Sequence, residues 1–149
     1  MQKTPLLALI ALAAALAAPA PARAVEYRTV EAPAVLYDTP SQKGVKLYVI
    51  RPNTPVEIVV SLEGWNKVRD ADGALAWIEQ KYLGRRRTVI VKSDWAAIRQ
   101  KPDPAAPIVF EAERQVTLDY QETLPGGWVK VRHRDGQEGY AHGSQVWGF

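Results

Sequence analysis

The segment Gly64-Trp65-Asn66-Lys67-Val68-Arg69 returns 63 residues later as Gly127-Trp128-Val129-Lys130-Val131-Arg132. Upstream, Ala34-Val35-Leu36-Tyr37-Asp38-Thr39-Pro40 returns at an offset of 62 as Ala96-Ala97-Ile98-Arg99-Gln100-Lys101-Pro102. Asp72-Gly73 recurs as Asp135-Gly136, Trp77 falls on Tyr140, and Leu83 falls on Val146. The order is kept and the offset barely drifts. A repeat of this kind restricts the chain to two copies of one small unit. The units run from Val25 to Gly84 and from Arg85 to Phe149.

Each unit is patterned for strands. Val56–Leu62 is rich in β-branched residues, and Trp65–Arg69 and Trp128–His133 alternate apolar with polar side chains. The two Asp-Gly pairs sit between strand-like runs, a strong short-range hairpin signal. Eleven prolines and ten glycines oppose long helices, and no stretch after the opening segment keeps a 3.6-residue period. The expected fold is therefore all-β, with two tandem small antiparallel β-barrels. A unit of about 60 residues has a thin core and is marginal alone, so packing two together helps both.

The opening segment reads as an address. Lys3 precedes an unbroken apolar run, Leu6–Ala18, that Pro19 and Pro21 close. Ala22-Arg23-Ala24 supplies a small-x-small exit, so residues 1–24 are predicted to be a cleaved secretory signal. A spanning helix needs about 20 apolar residues, more than this run holds. The expectation is export to the periplasm or the exterior, with no membrane span in the mature chain. Lys3 and Arg23 leave with the leader, so the chain's net charge of +3 falls to +1. That charge and that address argue against nucleic acid as a partner. The chain has no cysteine, which excludes a thiol nucleophile, disulfides and a zinc thiolate site.

Gly64-Trp65-x-Lys67-Val68-Arg69, followed by Asp72-Gly73 and Trp77-Ile78, resembles the signature of bacterial SH3-like domains. So does Gly127–Arg132, with Gly136 and Gly139-Tyr140-Ala141-His142. Gly84-Arg85-Arg86-Arg87-Thr88-Val89 and Val146-Trp147-Gly148-Phe149 resemble more closely a subgroup of exported proteins with two such domains and little else. The resemblance implies two SH3-like barrels, at 25–84 and 85–149, that act as accessory binding modules. Relatives of this kind bind cell-wall peptidoglycan, peptides or other proteins. Unit one departs from the family's Leu-Arg-x-Gly-Pro first-strand motif, having Leu36-Tyr37-Asp38-Thr39-Pro40.

Side chains alternate along a strand, so Trp65 shares a face with Lys67 and Arg69, and Trp128 with Lys130 and Arg132. With the valines inward, both indoles face outward or into a groove, and Tyr37 points away from Leu36. SH3-type surfaces grip extended peptides with such rings. The candidate ligand-binding residues are therefore Tyr37, Trp65, Trp77, Trp128 and Tyr140. The competing reading has these rings cover the thin core or pack between the units. Arg99 stands where unit one has Tyr37, so the two units are not expected to bind alike. Trp95 and Trp147 are expected to close the second barrel or dock it on the first, Arg85–Arg87 to be a solvated linker, and Asn53 to hold a left-handed turn. His133 and His142 flank one turn without a recognised metal-ligand spacing, so no metal and no cofactor are expected. No serine lies in a nucleophile-elbow motif, and small barrels offer little water-excluding volume, so no catalytic residue is assigned and no enzyme activity is expected. The expected function is non-catalytic recognition of peptidoglycan or its stem peptides through aromatic grooves. The alternative is a periplasmic protein–protein adaptor or structural subunit.

Overall fold

The computed structural model describes residues 24–149, and the expected leader lies outside them apart from Ala24. The first sheet contains β1 (Tyr27–Val30), β2 (Ala34–Tyr37), β3 (Lys46–Ile50), β4 (Pro55–Leu62), β5 (Trp65–Arg69), β6 (Leu75–Glu79) and β7 (Leu83–Gly84). The second contains β8 (Thr88–Val91), β9 (Trp95–Arg99), β10 (Ile108–Glu113), β11 (Thr117–Leu124), β12 (Trp128–Arg132), β13 (Glu138–His142) and β14 (Val146–Trp147). The strand orders are β3-β2-β6-β5-β4-β1-β7 and β10-β9-β13-β12-β11-β8-β14, so the second sheet repeats the first strand for strand. Every pairing is antiparallel, and no α-helix occurs among the described residues. The all-β expectation holds, with two SH3-like barrels in tandem.

Alternation drives each strand as the pattern predicts. In β5, Asn66 and Val68 are buried while Trp65, Lys67 and Arg69 are partly exposed. In β12, Val129 and Val131 are fully buried. The Asp-Gly turns join β5 to β6 and β12 to β13, with Gly73 at φ 87° and Gly136 at φ 96°. Those angles lie where a Cβ is disfavoured, so glycine is the residue the turn needs. Two separate cores result. Val30, Leu36, Val56, Val68 and Ile78 centre the first, and Val89, Ile98, Leu118, Val129 and Val131 the second.

The barrels meet along β1, the β3–β4 turn, the linker and the C-terminus. Thr29 and Thr88 are both buried, with hydroxyls 3.0 Å apart. Thr88 Oγ1 donates to the Asn53 carbonyl at 2.9 Å. Its only proton is thus spent, and Thr29 donates to it. The Arg87 guanidinium lies between the rings of Tyr27 and Tyr120, at 5.4 and 4.9 Å, and donates to the Gly148 carbonyl. Trp147 meets Tyr27 edge-on at 5.2 Å. Trp147 therefore docks on the first barrel as expected. Arg87 is a half-buried clamp rather than a solvated linker residue, because two tyrosine faces supply a cation–π site.

Candidate functional site

Strand register assembles one aromatic face on the first barrel. Tyr37 of β2 lies opposite Trp77 of β6. Trp77 in turn lies opposite Lys67 of β5, and Trp65 lies opposite Glu79. The rings of Tyr37 and Trp65 meet edge-on, 5.5 Å apart. Tyr37 is only 7% exposed, whereas Trp65 and Trp77 are partly exposed. Leu36 and Tyr37 lie on opposite sides of the sheet, as alternation predicts, and Tyr37 is nonetheless buried because the Trp65 ring packs against it. Tyr37 is thus a backing ring, and the two indoles form the accessible surface.

A polar rim bounds that surface. Glu79 accepts from Gln42 at 3.1 Å and pairs with Lys81 at 2.9 Å. The Lys81 ammonium, foremost, holds the Glu79 carboxyl below its usual range. Gln42 belongs to the loop between β2 and β3, which Asp38 braces by accepting from the Val45 amide at 2.8 Å. Gly64, Glu79, Gln80 and Lys81 line a shallow hollow at one end. The repeat drew attention to the rings. The rim escaped notice because Gln42 and Lys81 lie in segments with no counterpart motif.

The equivalent face of the second barrel differs. Tyr140 lies opposite Lys130 and Arg99, and Arg99 donates to the Ala106 carbonyl at 2.8 Å, holding the β9–β10 loop. Trp128 lies opposite His142, and their rings meet edge-on at 5.3 Å. Trp128 is only 8% exposed. The five candidate rings therefore fall into two groups, Tyr37, Trp65 and Trp77 on one barrel and Trp128 and Tyr140 on the other. Trp95 is 55% exposed and borders a groove with Phe110 and His133 rather than docking on the first barrel.

His133 pairs with Asp135 at 3.0 Å inside the β12–β13 turn, while His142 meets Trp128 edge-on at the far end of the hairpin. Among the described residues no three of His, Asp and Glu group so as to hold a metal ion. No helix among them is long and apolar enough to cross a membrane.

The family model described as "Bacterial SH3 domain" matches residues 30–84 and again 92–148. The chain belongs to the bacterial SH3 domain family. SH3 domains of this family are non-catalytic binding modules, typical of cell-envelope and exported proteins. Among solved structures, the chain is similar to NlpC2 from Trichomonas vaginalis, at 16% identity and a TM-score of 0.39, over 84% of this chain and 48% of that one. It is likewise similar to NlpC1 from Trichomonas vaginalis, at 14% identity and a TM-score of 0.40, over 87% of this chain and 48% of that one. It thus spans about half the length of each. No curated protein matches this chain.

Proposed function

We propose that this protein is an exported, non-catalytic binding module of the cell envelope whose first SH3 domain recognises peptidoglycan through its stem peptides. One observation carries the reading: Tyr37 backs Trp65 edge-on, leaving Trp65 and Trp77 partly exposed on one face. Indole faces stack on sugar rings and peptide planes. Lys67 and Glu79 set opposite charges beside the rings, which suits a stem peptide that carries both carboxylates and an amine. Trp128 and Tyr140 serve the second domain, Trp128 as packing against His142. The working form is the chain after removal of residues 1–24, with the two domains dividing near Gly84 and Arg85.

Co-sedimentation with purified sacculi tests this. The wild type is expected to pellet with sacculi, and Trp65→Ala to bind about tenfold more weakly or worse, a loss of about 1.4 kcal/mol. A folded Trp65→Ala variant that pellets like the wild type would sink the proposal.

A protein–protein adaptor role has one observation of its own. β3 is an edge strand with Val45 beside it and Leu47, Tyr48 and Val49 all exposed. Tyr48 donates to Asp70 at 2.9 Å, which pins the strand. An apolar, unpaired edge is a template for strand addition by a partner. Cross-linking in envelope extracts, with Val49→Lys as the blocking variant, tests it. Partner capture that survives Val49→Lys would remove that role.

A further inference from the structure

The two domains border a half-open cleft of about 440 Å³ at their junction, away from the aromatic face. Arg51 and Asn53 border it from the first domain, Arg86 from the linker, and Gln115, Asp119 and Arg134 from the second. Three arginines and one aspartate thus line it. Asp119 already pairs with Arg86 at 3.0 Å. Arg51 and Arg134 have no ion pair among the described residues. The cleft is thus lined by two arginines without an ion pair, contributed by different domains, and by a third that is held in place.

Arg86 is held from two sides. Besides Asp119 it donates to Asn53 Oδ1. Asn53 is itself rigid: its backbone is left-handed at φ 67°, its amide donates to the Val30 carbonyl, and its carbonyl accepts from buried Thr88. Gln115, at the matching position of the second repeat, is also left-handed, at φ 72°, and its amide donates to the Val91 carbonyl. These are the two non-glycine residues with positive φ among those described, and domain packing brings both to one cleft. Backbone held in a sparsely populated region is a feature that recurs at ligand clamps. The volume lies in the range of small-molecule sites. Guanidinium forks match carboxylate and phosphate oxygens two at a time.

We infer that the domain junction is a second binding site, for a small ligand bearing two carboxylate or phosphate groups. Arg51 takes one group and Arg134 the other, with Arg86 fixed between them. The site is independent of the aromatic face and forms only when both domains are docked.

The experiment is an amide chemical-shift titration of the whole protein. Its probes are the dipeptide alanyl-glutamate, with two carboxylates, for the carboxylate source and fructose 1,6-bisphosphate, with two phosphates, for the phosphate source. Saturable shifts at Asn53 and Gln115 are expected with at least one probe, and the stronger probe identifies the source. Arg51→Gln with Arg134→Gln should raise the half-saturating concentration about tenfold or more. Both side chains are exposed, so this double variant should keep the wild-type spectrum away from the cleft. Trp65→Ala should leave the titration unchanged, which separates this site from the wall-binding face. No saturable shift with either probe, or equal shifts in the double variant, would overturn the assignment.

Discussion

The two barrels share one register and put it to different uses. Tyr37, Trp65 and Trp77 of the first correspond to Arg99, Trp128 and Tyr140 of the second. The residue across from the tryptophan decides its fate. Opposite Trp65 stands Glu79, which turns to Lys81 and Gln42 and leaves the indole partly open. Opposite Trp128 stands His142, whose ring closes over the indole. The same motif is thus a surface in one domain and packing in the other. The hairpin turns diverge likewise. Asp70 caps its own turn by accepting from the amides of Asp72 and Ala74. In the second domain the cap shifts, and Asp135 accepts from the amide of Gln137.

The largest test of this contrast is truncation of each tryptophan. Trp128→Ala is expected to cost about 3–5 kcal/mol, as for a buried large ring. Trp65→Ala should cost less than half of that in denaturant unfolding, since it gives up chiefly an edge contact with Tyr37. Equal losses would break the distinction between surface and packing. Next comes the junction. Thr88→Val strands the buried Thr29 hydroxyl and the Asn53 carbonyl, at about 1–3 kcal/mol. Unfolding that stayed unchanged would mean that the barrels are not coupled through this contact.

A smaller effect separates the two left-handed positions. Gln115→Gly should stabilise by up to about 1 kcal/mol, because a long side chain is disfavoured there and glycine is not. Asn53→Gly should give no gain, because asparagine tolerates that conformation and its side chain accepts from Arg86. Thermal melts of the pair would reveal a reversed order.

The smallest effect concerns acid. The Gln137 amide, foremost, holds the Asp135 carboxyl down at about 2, against an ordinary 3.8, with the Gln137 side chain and His133 assisting. A depressed carboxylate stabilises the fold above its ordinary value, and that contribution fades as pH falls through about 2. An acid titration followed at the Gln137 amide should therefore have its midpoint near 2. A midpoint at 3.8 would show that the turn does not hold the ionised form.

Much of the fold was legible because its causes are local. The period of two in Trp65–Arg69 and Trp128–Arg132 follows from strand geometry, so the valines had to turn inward. The Asp-Gly turns follow from backbone sterics at Gly73 and Gly136. The repeat gathers those local signals into two equivalent barrels. The same reasoning brought Tyr37 and Trp77 to notice through their matching places in the repeat. It missed the burial of Tyr37, since the indole that packs against it, Trp65, comes from another strand.

The amino-acid sequence by itself determined that this protein is two β-barrels built on one pattern, because propensity, alternation and turn chemistry act over a few neighbours. Tertiary structure alone decided that His142 covers Trp128, that Arg87 is clasped between Tyr27 and Tyr120, and that Arg51, Arg86 and Arg134 share one cleft. Those residues lie on different strands or in different domains. Their effect on one another depends on distances that exist only after the chain has closed, and electrostatics and ring packing act over those distances rather than along the sequence.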